Sequence, residues 1–228
     1  MTINIKQIKS QKLETGVLQG HFIISNLLKG QGLTIGNTFR RILLSNVFGT
    51  SIVGINIPGV TSEFSSIYGL REDVFEFLLN LKDIILRSNL DIVHYGIIKI
   101  KGPGILTASA IHFNSNIQII NPNQYLATIY HKENYIFEII ALKNKGYIVN
   151  KNIILRYPNF LNIEAVYFSI LNVNYRINFS NSFFSGDSLL LEITTNGSIL
   201  PNEAIIYSSK LLKNLFNSIF LFRNRLFF

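Results

Sequence analysis

Between Leu33 and Gly49 the chain reads LTIGNTFRRILLSNVFG, and at 100° per residue Ile35, Phe39, Ile42 and Leu43 fall on one stripe, the spacing of an amphipathic helix. Thr34 is placed to act as N-cap and Gly49 to supply a left-handed stop. Asn37, Arg41 and Leu44 project from the opposite face. A solvated helix carries only charge and amide there, so a leucine beside an arginine implies a second contact. A helix at the other end of the chain is predicted to begin at Pro201, whose fixed φ suits the first helical position, with Glu203 favourably near the positive end of the dipole. Ile205, Ser208, Leu212, Leu215, Ile219 and Phe222 repeat at alternating three and four, and Leu211, Phe216 and Phe220 widen the stripe. A single packing face is narrower. A helix so broadly apolar is expected to complete its burial against another copy of the chain.

Other patterns frame these two helices. Gly20 to Leu28 is rich in β-branched and aromatic residues and reads as a strand delivered to the first helix by a glycine-containing loop. From Ile52 onward short apolar runs alternate with turn residues: Ile52 to Ile57, Ile97 to Ile100, Ile117 to Ile120, Tyr125 to Tyr130 and Tyr135 to Leu142. Pro58-Gly59, Gly102-Pro103-Gly104, Asn121-Pro122-Asn123 and Asn144-Lys145-Gly146 punctuate them, so this segment is mostly β. One helix is predicted inside it, Leu70 to Leu86, with Val74, Phe77, Leu78, Leu81 and Ile85 on one side and Glu72, Glu76, Asn80 and Asp83 on the other. Glu72 and Asp73 in its first turn, and Lys82 and Arg87 near its end, suit the helix dipole. Val173 to Phe179 and Ser188 to Thr195 flank the loop Asn181 to Asp187 and can pair as a hairpin.

Composition narrows the class. A chain of 228 residues, 48% of them apolar, can fill a real core, and zero cysteines exclude a disulfide framework and thiolate metal sites. The polar N-terminus lacks the apolar run of a signal peptide. A mean hydropathy of +0.30 raises the question of a membrane span. The longest apolar stretch, Leu211 to Phe228, is broken by Lys213, Asn214, Asn217, Arg223, Asn224 and Arg225, so no membrane association is expected. The net charge of +8 is scattered in pairs rather than gathered in a basic arm, the pattern of a soluble basic surface.

Residues that carry chemistry are sparse. His21, His94, His112 and His131 lie far apart and match no ligand spacing, so each reads as an ordinary surface or strand residue. There is no G-x-S-x-G elbow. Glu72, Asp73 and Glu76 form the only close carboxylate cluster, and dipole stabilisation at a helix start accounts for it. Gly30, Gly32 and Gly36 are spaced G-x-G-x-x-x-G without a following Lys-Ser/Thr, which meets neither phosphate-loop pattern; Gly36 is expected to let another helix approach closely. No catalytic residue, cofactor or metal site is expected.

KGQGLTIGNTFRRILLSNVFG resembles the first dimerisation helix of the alpha subunit of bacterial-type RNA polymerase. The resemblance continues in order through YGLREDVFEFLLNLK, KGPGILTA, INPNQYLATI, KGY and TNGSILPNEAI, nearly the whole chain. It implies an α+β fold: a discontinuous dimerisation domain, 1–50 with 171–228, of helices packed on antiparallel sheet, and an inserted mostly β domain, 51–170, that contacts the large subunits. It also implies a non-catalytic subunit that homodimerises and scaffolds assembly of the beta and beta prime subunits, with the Mg²⁺-holding acids of polymerase chemistry on the largest subunit. Ile35, Phe39, Ile42, Leu43, Leu212, Leu215 and Ile219 would form the dimer interface. By resemblance Arg41 and Leu44 match positions that contact the beta subunit, with Asn37 on the same outward face, and Lys82 matches another basic position implicated in large-subunit assembly.

DNA would be met only through the complex. The family's separate C-terminal DNA- and activator-contacting domain is expected to be absent, since the chain stops at Phe228. Two departures stand out: Leu200 occupies the position of a capping Asp or Thr, and Lys151 to Asn172 matches weakly, with Ser169 in place of a proline. The abundance of Ile, Asn, Phe, Lys and Tyr is what an AT-rich genome encodes, and the resemblance is to plastid subunits, so the plastid (chloroplast) stroma is the expected location, with a bacterial cytoplasm as the alternative. A stand-alone basic, nucleic-acid-binding dimer is the alternative function; it predicts a helix-turn-helix or a clustered basic face.

Overall fold

The computed structural model describes residues 2–13, 16–148, 157–178 and 186–222. In chain order the elements are β1 (Asn4–Lys12), β2 (Leu18–Leu27), α1 (Gln31–Asn46), β3 (Phe48–Asn56), α2 (Val74–Lys82), β4 (Leu86–Ser88), β5 (His94–Lys101), β6 (Gly104–Thr107), β7 (Ile111–Phe113), β8 (Ile117–Ile119), β9 (Tyr125–Ile129), β10 (Asn134–Lys145), β11 (Tyr147–Ile148), β12 (Leu161–Asn162), β13 (Ala165–Val166), β14 (Ile170–Asn178), β15 (Asp187–Thr195) and α3 (Pro201–Phe222). The fold is α+β with antiparallel sheets. Two compact units divide the chain: Met1–Val47 with Ser169–Phe228, and Phe48–Phe168. Residues 181–185 of the expected hairpin loop and 151–156 of the weakly matching segment lie outside the described residues, as does the Phe222 side chain.

In the first unit a four-stranded sheet runs β1-β2-β15-β14, every neighbour antiparallel. The alternation expected of a half-buried strand is plain in β15, where Leu189, Leu191 and Ile193 are buried and Ser188, Leu190 and Glu192 are not. With Phe22 and Val173 they make an apolar inner face, on which α1 lays Phe39 and Leu43 and α3 lays Ala204 and Ile205. Burial of each such Leu or Phe stabilises the unit by about 1.5–3 kcal/mol. The expected hairpin forms as β14 and β15, with Val173 opposite Ile193 and Tyr175 opposite Leu191. Strand β1 was not predicted. All nine of its residues are exposed, so its sequence carries no buried face to betray it, and its pairing to β2 alone makes it a strand.

The ends of α1 differ from expectation. The helix starts earlier, at Gln31, and Thr34 is not its cap; the N-cap is Gly30 at φ 87°, a left-handed conformation that glycine adopts without penalty. The missing acceptor comes from the far end of the chain. The carboxylate of Asp187, at the first position of β15, accepts the Gly30 N–H at 2.8 Å and the Gly32 N–H at 3.4 Å, which places negative charge where the helix dipole favours it. Nor does Gly49 stop the helix: Val47 turns to extended backbone and Gly49 lies inside β3. Gly36 does permit a close approach, but to strands; a Cβ there would meet Tyr175 at 2.7 Å and Leu189 at 3.0 Å.

At α3 the start falls on Pro201 as predicted, and Leu200 does not leave it uncapped. Glu203 reaches back to accept the Leu200 N–H at 3.1 Å, half of a capping box.

The second unit is built on a sheet in the order β7-β5-β10-β3-β4-β8, with β12 also on β3. Ile52, Ile55, Ile98, Phe137 and Ile139 face α2, which contributes Val74, Phe77 and Leu81; the Phe77 and Phe137 rings lie 5.6 Å apart. Helix α2 is shorter than the predicted Leu70 to Leu86. Asp73 caps it by accepting the Glu76 N–H at 2.8 Å, Leu70 bridges Ile129 instead, and Leu86 belongs to β4. Glu72 therefore lies outside the helix. At 1% exposure it accepts the Thr128 N–H at 2.7 Å and the Tyr125 hydroxyl, and pairs with Arg71 at 2.9 Å, tying the segment before α2 to β9. Burial pushes the Glu72 carboxyl up, but these donors and Arg71 together hold it below its ordinary 4.5.

Two outcomes follow from these ties. In thermal melts Asp187→Ala lowers stability by about 0.5–2 kcal/mol, while Asp187→Asn, which keeps an acceptor, loses less. Glu72→Gln destabilises by about 1–3 kcal/mol at neutral pH. Because the folded carboxyl is depressed, the stabilisation is present above 4.5 and is lost as pH falls below it through the folded value. The gap between the wild-type and Glu72→Gln melting temperatures accordingly closes in acid, and a pH series of melts measures it.

Candidate subunit interfaces

Helix α3 changes character along its length. Ala204, Ile205 and Ser208 are buried in the unit's own core and Leu212 packs against it, whereas every residue from Lys213 to Leu221 is exposed. That open half is apolar: Leu215, Phe216, Ile219 and Phe220 are 54%, 59%, 63% and 71% exposed. Isolated exposed leucines are ordinary, but a contiguous helical stripe of this kind marks an interaction surface. Beside it a groove of about 510 Å³ lies between α3 and strands β1 and β2, floored by Phe22 and Ile205 and rimmed by Lys210 and Lys213.

Of the stripe predicted for α1, Phe39 and Leu43 are 8% and 1% exposed in the single chain. Both side chains are enclosed by Val173, Leu191 and Ile193 of the same unit, because α1 is laid directly on the sheet. Ile35 and Ile42 are half-buried and keep an open edge. On the other side Asn37, Arg41 and Leu44 are exposed, as the two-faced pattern implied, and Leu33 joins them. The Thr38 and Ser45 hydroxyls donate to the Thr34 and Arg41 carbonyls at 2.6 and 2.7 Å, which satisfies them within the helix. Among the described residues the Arg41 guanidinium has no ion-pair or hydrogen-bond partner. It is left free to grip a carboxylate or carbonyl in its fixed plane.

In the second unit Lys82 ends α2, half-buried in the last turn. Phe75 and Leu79, about half exposed, stand at the i, i+4 spacing that leads to it at i+7. The periodicity of the buried stripe does not single them out; the available signal is an apolar residue directly before each of Glu76 and Asn80, at the edge of a nominally polar side. Of the four histidines, His94 is fully buried: Ser88 Oγ lies 3.0 Å from Nε2 and Ser115 Oγ 2.5 Å from Nδ1, so its ring is satisfied within the fold. His21 pairs with Glu192 at 3.6 Å. Among the described residues no group of three or more His, Asp or Glu could hold a metal, and no helix is long and apolar enough to cross a membrane.

A surface-dominated chain is best placed by comparison. Residues 54–168 match the family described as the RNA polymerase Rpb3/RpoA insert domain. The chain is 41% identical over 218 residues to the DNA-directed RNA polymerase subunit alpha of Trieres chinensis, covering 94% of this chain and 70% of that protein. This chain belongs to the alpha-subunit family of DNA-directed RNA polymerase. The alpha subunit of Porphyra purpurea is 42% identical over 205 residues, covering 88% of this chain and 65% of that protein; that of Synechococcus sp. (strain JA-3-3Ab) is 36% identical over 217 residues, covering 92% and 65%. The relatives are mainly algal, with a cyanobacterial one among them, and the chain is most like a plastid alpha subunit. Its role is that of a subunit in a multi-subunit complex with nucleotidyltransferase activity, and the inserted β domain of the family accords with the second unit.

The two halves of this alpha subunit's helical surface respond differently to truncation. At concentrations where the chain is monomeric, Leu43→Ala costs about 2–5 kcal/mol in urea unfolding. Leu215→Ala stays within about 0.5 kcal/mol of wild type in the same experiment.

Proposed function

We propose that this chain homodimerises and serves as the platform on which the beta and beta prime subunits of the polymerase assemble. The observation that carries the reading is the open apolar half of α3, which the chain cannot cover with its own core. In the proposed dimer Leu212, Leu215 and Ile219 of each copy, with the open edges of Ile35 and Ile42, pack around a two-fold axis, and the groove floored by Phe22 and Ile205 receives the partner's helix. Phe39 and Leu43 support that surface from beneath. The first unit is thus the dimerisation domain, and the inserted unit contacts the large subunits.

Asn37, Arg41 and Leu44 form the large-subunit contact on α1, with Lys82 a further one on the inserted unit. Because beta and beta prime differ, the same outward face of each copy meets a different partner, so the symmetry of the dimer breaks on assembly. The algal and cyanobacterial relatives are consistent with a plastid or a bacterial-type cytoplasm, and the stroma of a plastid is the proposed compartment.

Sedimentation combined with capture of the large subunits tests both steps. Leu215→Asp with Ile219→Asp yields a folded monomer that no longer recruits beta. Arg41→Ala stays dimeric and loses beta in a pull-down from co-expressing cells. A dimer that survives the paired aspartates, or undiminished beta recovery with Arg41→Ala, overturns the corresponding half of the proposal.

A further inference from the structure

The outer face of the β1-β2-β15-β14 sheet, opposite the helices, holds an arrangement that no stretch of the sequence displays. Residues directly opposite in an antiparallel ladder share a face. The registers Lys6 opposite Ile23, Ile23 opposite Leu190 and Leu190 opposite Arg176 therefore form one row across all four strands with a cation at each edge. The next row runs Lys9, His21, Glu192, Asn174. Lys6, Lys9 and Arg176 are exposed, and among the described residues none has a carboxylate partner. The one acid on these rows, Glu192, is engaged by His21 at 3.6 Å. Around them the face carries mainly Asn, Gln, Ser and Thr, donors suited to phosphate oxygens.

We propose that this sheet face docks the backbone of duplex DNA. Charge complementarity commits it to a polyanion: three unpaired cations span about 14 Å across three strand spacings, and Lys6 and Lys9 follow one another along β1 about 7 Å apart. No Phe or Tyr stands on either row and the one ring there, His21, is engaged by Glu192, so no open platform is offered to unpaired bases, which selects duplex over single strands. The contact is sequence-independent, because only phosphates are engaged. It goes beyond the expectation that DNA is met only through the complex, and it does not depend on dimerisation.

Anisotropy of a labelled random-sequence duplex with the full chain, taken through a salt series, tests the proposal. Each phosphate contact adds about 0.9 to the slope of log K against log salt. The triple variant Lys6→Gln, Lys9→Gln, Arg176→Gln is expected to lose nearly three from that slope, while Lys99→Gln, Lys101→Gln, Lys132→Gln in the other unit leaves it unchanged. Equal losses in the two triples, or none in the first, overturn the site. Tighter binding of single-stranded RNA that is lost to the same triple overturns the choice of duplex, and displacement of DNA by poly-glutamate at equal charge overturns nucleic acid in favour of an acidic protein. Should the triple fail to fold, Arg176→Gln alone is read the same way, with a loss of about one. Sedimentation of the same samples reports self-association separately.

Discussion

Strands β2 and β15 pair along the middle of the first unit's sheet, although more than 150 residues separate the partners that hold them together. Neither chain end can bury its apolar side alone: Phe22 and Ile24 come from one, Leu189, Leu191 and Ile193 from the other, and the inner face exists only when they interlock. Asp187 makes that dependence concrete. It sits at the start of β15 and supplies the carboxylate that the N-terminus of α1 lacks locally, so the helix is capped by the strand it packs on. The backbone of Gly30 and Gly32 and the close approach at Gly36 are the same coupling seen from the helix side.

Once that face is covered, a surplus of apolar surface remains. The first turns of α3 finish the core, and the turns after Leu212 run on with Leu, Ile and Phe exposed. What a polymerase alpha subunit brings to this arrangement is rigid faces. Helices laid flat on a sheet present their outward residues at fixed spacing, which is why Asn37, Arg41 and Leu44 stand ready as a set once Phe39 and Leu43 are locked beneath them. Burial and presentation are two sides of one helix.

The inserted unit follows a different logic. Its core packs the buried side of α2 on one face of β10 and a smaller apolar cluster around Ile140 on the other, yet its fastening is polar: buried Glu72 draws Arg71, Tyr125 and Thr128 together, and His94 is bracketed by Ser88 and Ser115. Such groups are tolerated in a low-dielectric interior only because each finds a partner.

The residues alone determined a good deal. Period and punctuation announced α1, α3, the β14–β15 hairpin and the strands β3, β5, β8, β9 and β10 of the inserted unit, because a 3.6-residue stripe and a two-residue alternation each require one particular burial geometry. The start at Pro201 was legible for a local reason, its fixed φ. Features made by distant residues were not: the cap on α1 lies in β15, Glu72 looks like a dipole residue until β9 supplies its donors, and β1 has no pattern because its only partner is β2. The same holds for the surfaces. Two faces on α1 could be read from the sequence, but which apolar residues the chain consumes internally and which it leaves open, Leu43 against Leu215, depends on how far the sheet extends beneath each helix. Periodicity reports that a side chain must be buried; only the packed chain decides by whom.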